Sequence, residues 1–246
     1  MHFDIYAIWE ALPFLMKGLA FTVELTLVAC VGGLILGTGM AVVRQLQVPV
    51  LARIIGGYVT LMRCIPLILV LFWFFFLVPL VLGHLSPTGR PIPLGPQSTA
   101  FVTFTMFEAA YYAEIVRSGF KAINKGQYEA ARALGLSTAT MYASVIIPQV
   151  LRATAPIIVT QTIILFQDTA LVYVLSLNDF LGIAAKIAQR DGKLTEFYVF
   201  VAVVYLILCS AGSELAERLR RKTPWTVSRA KAARILGFPR PSSARD

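Results

Sequence analysis

The chain is short of charge. Of its 246 residues only 14% are Asp, Glu, Lys or Arg, against 57% hydrophobic, where soluble domains carry about 25% charge. A soluble core of this length would need a charged coat that these residues cannot make, so an integral membrane protein is expected. Histidine is nearly absent. His2 and His84 are isolated, which gives neither a metal spacing nor a base for a nucleophile. Cys30, Cys64 and Cys209 are odd in number and lie in or beside apolar segments, so they read as small buried hydrophobes and not as a disulfide framework. Leu27-Val28-Ala29-Cys30 has the outline of a lipidation box, but no basic leader precedes it and the apolar run continues to Val43. No Gly-x-x-x-x-Gly-Lys-Ser/Thr run exists. Gly192-Lys193 is followed by Leu194 and has Ile187 where the first Gly belongs, which excludes a phosphate-cradling loop of that kind. The net charge of +9 does not point to nucleic acid, because the basic residues fall in short loops and a tail.

What the chain has in abundance is apolar sequence. Five stretches are long enough to cross a bilayer: about Gly18 to Val43, Cys64 to Gly83, Leu94 to Val116, Ala153 to Leu177 and Phe197 to Gly212. The expected fold is therefore all-α and polytopic, with five transmembrane helices. With the N-terminus outside, seventeen of the 22 Lys and Arg fall on the inner side, so the positive-inside bias gives N-out and C-in. Residues 1–17 then form an outer N-terminal segment and 18–222 the membrane domain. Residues 223–246 form a basic tail, with Pro224, Pro239 and Pro241, that lies on anionic lipid headgroups or is disordered. Pro87, Gly89, Pro91, Pro93, Gly95 and Pro96 mark an outer loop. Gly33 and Gly37 give the first span a small-residue face suited to close helix packing. No second domain and no internal repeat is visible.

Between the third and fourth spans lies a polar segment. Residues Gly126 to Leu134 are expected to form a short surface helix with Ala130, Ala131 and Leu134 on one side, closed by a turn at Gly135. Pro148 suits the start of the next helix. Charges inside spans are the default site candidates. Asp168 is near the middle of the fourth span, Gln161 lies two turns before it on the same face, and Thr169 borders that face. A mid-membrane carboxylate there can bind a substrate ammonium while amides and hydroxyls bind a carboxylate. Glu108 is the second candidate, with a bond to Tyr111 or Tyr112 as its structural explanation. Glu24 is expected to snorkel to the outer surface, and Arg63 to act as a headgroup anchor or gate at the inner entry of the second span. The Phe72–Phe76 run around Trp73 reads as packing or lipid contact.

The spacing of the polar segment carries a resemblance. Glu129-Ala130-Ala131, three residues, Gly135, nine residues, Val145, one residue, Ile147-Pro148 resembles the signature loop of binding-protein-dependent ATP-binding-cassette (ABC) importer permeases, the MetI-like transmembrane domain. Phe107 to Gly119 resembles the polar amino acid branch, and the likeness extends to Arg63-Cys64-Ile65-Pro66-Leu67 and Gln167-Asp168-Thr169-Ala170-Leu171, covering about residues 15 to 222. Gln167 stands where many members have Lys, and Cys64-Ile65 where they have Gly-Thr. These variants look most like the glutamate/aspartate permeases.

The resemblance implies a multi-pass bacterial inner-membrane subunit that imports polar amino acids, with glutamate or aspartate as cargo. Gly126, Glu129, Ala130, Ala131, Arg132, Leu134 and Gly135 would form a coupling helix docked on a separate ABC ATPase, with Glu129 and Arg132 fixing its turn by charge and hydrogen bonding. Asp168, Gln161, Glu108, Thr169 and Gln167 would serve the substrate. The implied partners are ATPase subunits, a like or homologous second permease subunit, a periplasmic solute-binding protein and membrane lipid. No cofactor belongs to this chain, since ATP and Mg bind the ATPase, and the chain is not expected to be an enzyme. Two other classes compete. An ion-coupled secondary transporter would use Asp168 for a proton or sodium ion, but such folds usually show inverted repeats. A membrane-embedded enzyme would need an interfacial cluster of His, Asp or Ser.

Overall fold

The computed structural model describes residues 4–85, 90 and 94–222. The expected basic tail and most of the Pro-rich loop lie outside those residues. Among the described residues all regular structure is helical. Helix α1 spans Ile5–Gln45, α2 Leu51–Cys64, α3 Leu67–Leu85, α4 Pro96–Phe120, α5 Lys125–Ala133, α6 Thr138–Leu175, α7 Phe180–Asp191 and α8 Leu194–Lys222. Four of these, α1, α3, α6 and α8, are long and apolar enough to cross a membrane. Helix α4 has the length, 25 residues or about 37 Å at 1.5 Å per residue, but its glutamates lower its hydropathy.

Several boundaries differ from the expected ones. Helix α1 begins at Ile5 and not near Gly18, because Asp4 caps it, accepting hydrogen bonds from the Tyr6 and Ala7 amides at 3.0 and 3.4 Å. At 41 residues it is roughly 60 Å long, twice the hydrocarbon thickness of ~30 Å, so part of it stands outside the bilayer. Residues 5–17 are thus a helical extension and not a separate segment. The second apolar stretch is preceded by α2, and the two helices are split at Ile65-Pro66. Proline disfavours the helical region for the residue before it, and Ile65 is extended at φ −110°, ψ 137°. Helix α6 starts at Thr138, well before Pro148. The backbone widens into a π-helical stretch at Met141–Ile146, which accommodates the amide that Pro148 lacks.

Helix α1 packs along α4 more extensively than any other pair. A β-carbon on Gly33 would lie 3.0 Å from Glu108 Cβ, and one on Gly37 would lie 2.7 Å from the Ala109 carbonyl oxygen and 2.8 Å from the Ala113 amide. The expected small-residue face is this contact. The register rises together on both helices, from Gly32 at Thr105 to Gly37 at Ala113 and Arg44 at Glu114, so α1 and α4 run parallel. Three apolar clusters follow the long axis. One joins the start of α1 to α7 and α8 through Leu15, Phe180 and Phe197. The middle one joins α1, α2, α3, α4 and α6 through Leu25, Val59, Val70, Phe104 and Leu165. The third joins the end of α1 to α4, α5 and α6 through Ala41, Val116, Ala131 and Ile146.

Candidate functional site

The middle of the bundle holds a cavity of about 460 Å³, lined among others by Arg63, Cys64, Ile65, Pro66, Tyr111, Gln161 and Asp168. Its size falls in the ~300–1,000 Å³ range of small-molecule pockets. The break between α2 and α3 forms one wall, including the first turn of α3, where the Leu69 and Val70 amides bond the Pro66 carbonyl at 3.0 and 3.3 Å. Gln161 and Asp168, two turns apart on α6, form another. Glu108 sits just behind, midway along α4 and 1% exposed. The Gln161 side-chain amide donates to both its carboxylate oxygens, at 3.2 and 3.3 Å. Glu108 therefore bonds Gln161, and not Tyr111 or Tyr112 as the local spacing suggested, because α6 crosses α4 at this level.

The structure separates the other two residues from this group. Thr169 is buried and donates to the Phe166 carbonyl at 2.7 Å. Gln167 is exposed and reaches Cys209 Sγ on α8 at 3.5 Å. Each helical step turns the side chain by about 100°, so neighbours of Asp168 look elsewhere. Arg63, expected at the inner entry of a span, instead stands beside Tyr111 near mid-bundle, its guanidinium carbon 5.7 Å from the ring centroid. Sequence reading missed this because α2 carries the chain inward before the break. The Tyr58 hydroxyl donates to the Met106 carbonyl on α4 at 2.6 Å, which fixes that descent.

At one end of the bundle lies α5. Asn124 caps it, accepting from the Gly126 amide at 2.8 Å. Its end is a Schellman turn, in which Leu136 N–H donates to Ala131 O at 3.1 Å and Gly135 N–H to Arg132 O at 2.9 Å. Gly135 takes φ +72°, a conformation that a β-carbon opposes. Only Ala131 of this helix is buried. Gly126, Glu129, Ala130, Arg132 and Leu134 all face outward, Leu134 at 78% exposure. Ala131 therefore does not share a face with Ala130 and Leu134: it is the inward residue, packed with Tyr128 and Leu136 against α6. Glu129 and Arg132 make no side-chain hydrogen bond or ion pair among the described residues. Backbone bonds and Gly135 hold the turn, not those charges. Nearby, Glu114 on α4 binds Arg44 of α1 at 3.0 Å and Arg117 one turn on, which ties α1 to α4 at this end.

The opposite end is fixed by Asp179, which is fully buried. Burial pushes its carboxyl up to about 6, against the opposing pull of the Gly182 and Leu181 amides that it caps. The Phe180 amide donates to Thr22 Oγ1 at 3.1 Å, which seats α7 on α1.

Residues 10–223 match the family described as the binding-protein-dependent transport system inner membrane component. The chain belongs to this family. As an inner membrane component of this type it is 42% identical over 226 residues to the glutamate/aspartate import permease protein GltK of Escherichia coli O6:H1, covering 90% of this chain and 98% of that protein. It is 30% identical over 222 residues to the glutamine transport system permease protein GlnP of Escherichia coli K12, covering 90% and 98%. Among solved structures, an amino acid ABC transporter crystallised with histidines superposes with a TM-score of 0.75 at 26% identity, over 90% of this chain and 100% of that one. The inward-facing MetNI methionine ABC transporter shares the fold, with a TM-score of 0.67 at 22% identity, over 89% and 99%. The protein is thus a membrane-embedded permease component of a binding-protein-dependent ABC importer, and its relatives are transport subunits and not enzymes.

Proposed function

We propose that this permease component imports polar amino acids, glutamate and aspartate foremost, using force supplied by a separate ABC ATPase through α5. The observation that carries the reading is α5 itself: a rigidly terminated helix whose Glu129, Ala130 and Leu134 are exposed among the described residues. An exposed leucine beside a charge and small residues is a surface made for a partner groove. The ATPase binds ATP and Mg, and this chain supplies no cofactor.

In this reading the chain crosses the membrane five times, through α1, α2–α3, α4, α6 and α8, with the N-terminus outside and the C-terminus inside. The parallel run of α1 and α4 supports it, since the chain must return once between them. Two copies, or this chain and a homologue, enclose one pathway, two ATPase subunits sit inside, and a solute-binding protein delivers cargo at the α7 end. Asp168 and Gln161 face the cargo and Glu108 holds Gln161. Thr169 and Gln167 support neighbouring helices. A broken helix beside a mid-depth cavity is the arrangement transporters use for substrate.

The test is reconstitution with the ATPase and the binding protein in proteoliposomes. The expected result is ATP-dependent uptake of glutamate and aspartate, and an Asp168→Asn variant about tenfold slower at low substrate. Uptake by the chain without the ATPase, driven by an ion gradient, contradicts the reading and favours secondary transport.

A further inference from the structure

We infer that Gln127 and Gln149 form the clasp that carries displacement of α5 into α6, the helix that bears Gln161 and Asp168. Both glutamines are then positioning residues for transport. The inference rests on the reading that force from the ATPase enters at α5. Among the described residues, Gln127 is the α5 residue whose side chain hydrogen-bonds another helix: its Oε1 accepts from Gln149 Nε2 at 3.0 Å. The same Gln149 nitrogen donates to the Val145 carbonyl at 2.9 Å. A side-chain amide has two N–H groups, so Gln149 gives one to α5 and the other to its own helix. Val145 lies in the π-helical stretch Met141–Ile146, and Gln149 in the α-helical stretch that begins at Ile147. The clasp therefore spans the change of helix type, and π segments within helices are frequent at functional positions.

Apolar packing alone does not make a lever. Ala131, the buried residue of α5, shares a cluster with Tyr128, Met141, Tyr142 and Ile146. The Tyr128 and Tyr142 rings meet edge to face, their centroids 6.2 Å apart at 67°. Such contact is non-directional, so it holds α5 on α6 and leaves α5 free to pivot. A hydrogen bond has a preferred line, and this one, placed beside the cluster, resists that pivot. With both contacts in place, a push on α5 turns α6 with it. From Gln149 the helix continues to Asp168, with Pro156 removing one backbone bond without ending it. Gln161 lies about 18 Å along from Gln149 at 1.5 Å per residue, so one helix joins the surface lever to the cavity wall.

The test uses proteoliposomes holding the permease, the ATPase and loaded binding protein, and reads the ATP hydrolysed per glutamate imported. Gln127→Leu removes the acceptor at an exposed position. It is expected to raise the ratio by about fivefold, the factor that one neutral hydrogen bond is worth, while the ATPase still co-purifies as in wild type. Gln127→Glu keeps an acceptor for the Gln149 N–H and is expected to hold the ratio within about twofold. The double variant Q127L/Q149L is expected to be no worse than Q149L alone, since both changes break the same bond. A wild-type ratio in Q127L overturns the proposal. So does a Q127E ratio as high as that of Q127L, or loss of the ATPase from Q127L, which would make Gln127 a docking residue. Import by the wild-type chain without the ATPase overturns both this inference and the reading beneath it. ATP-dependent import that is indifferent to Q127L overturns this inference alone.

Discussion

Helices α4 and α8 have similar lengths and opposite designs. Helix α4 carries Glu108, Glu114 and Arg117 and buries thirteen of its 25 residues. Helix α8 carries an uninterrupted apolar middle and turns Leu206, Ile207 and Leu208 outward at 67, 61 and 40% exposure. In water this would be inverted. In lipid it is the economical arrangement, because hydrocarbon solvates leucine and polar groups must find partners within the protein. Polarity here marks the inside of the bundle: Glu108 of α4 backs the cavity, which α4 lines with Phe107 and Tyr111 beside the α2–α3 break and α6, while α8 carries none of its lining residues.

Four experiments break or sharpen that contrast. The largest effect is expected at the α1–α4 contact. Gly37→Leu drives a side chain into the Ala109 and Ala113 backbone and should cost about 3 kcal/mol or more, seen as loss of the monodisperse thermal transition in detergent. Leu206→Ala on α8 should shift the same transition by no more than about 0.5 kcal/mol. Next is Glu108→Leu, which leaves the Gln161 amide without its acceptor. A loss of about 1–3 kcal/mol is expected in a denaturation series, and a neutral result would mean that the polar interior of α4 is not needed for folding. Third is Gly135→Val, which forces a β-branched residue to φ +72°. It should cost about 1–3 kcal/mol locally, read as faster hydrogen exchange of the α5 amides than in wild type.

The smallest effect lies at the water-exposed start of α1. Lys193 Nζ donates to Asp4 Oδ2 at 2.7 Å and holds that carboxyl below its ordinary value. A lowered folded-state value means that the contribution is present above the ordinary Asp range and is lost as pH falls through the lowered value. Lys193→Ala should therefore depress Tm slightly at neutral pH and not at all in strong acid. A difference that grows on acidification contradicts this assignment.

Much of the architecture was legible because it repeats local rules. The apolar runs, the Gly33/Gly37 face, the short helix before Gly135 and the shared face of Gln161 and Asp168 are each fixed by spacing along one segment. What sequence missed depends on segments meeting. Helices α2 and α7 are short and mixed in character, so neither reads as a span nor as a loop. Asp4 reaches α1 only as a cap, which lengthens that helix by more than three turns relative to its apolar run. Arg63 looks like an interfacial anchor until the break at Ile65-Pro66 is seen to lie near mid-bundle. Thr169 and Gln167 sit beside Asp168 in sequence and on other faces in space.

The central claim is that motion enters through α5 from an ATP-hydrolysing partner. The most direct measurement is the number of ATP molecules hydrolysed per glutamate imported by the reconstituted transporter when the outward residues Glu129, Ala130 and Leu134 are replaced together by serine. The account predicts that uptake is lost, with hydrolysis either continuing unproductively or no longer responding to loaded binding protein. Import at the wild-type rate and ratio contradicts it.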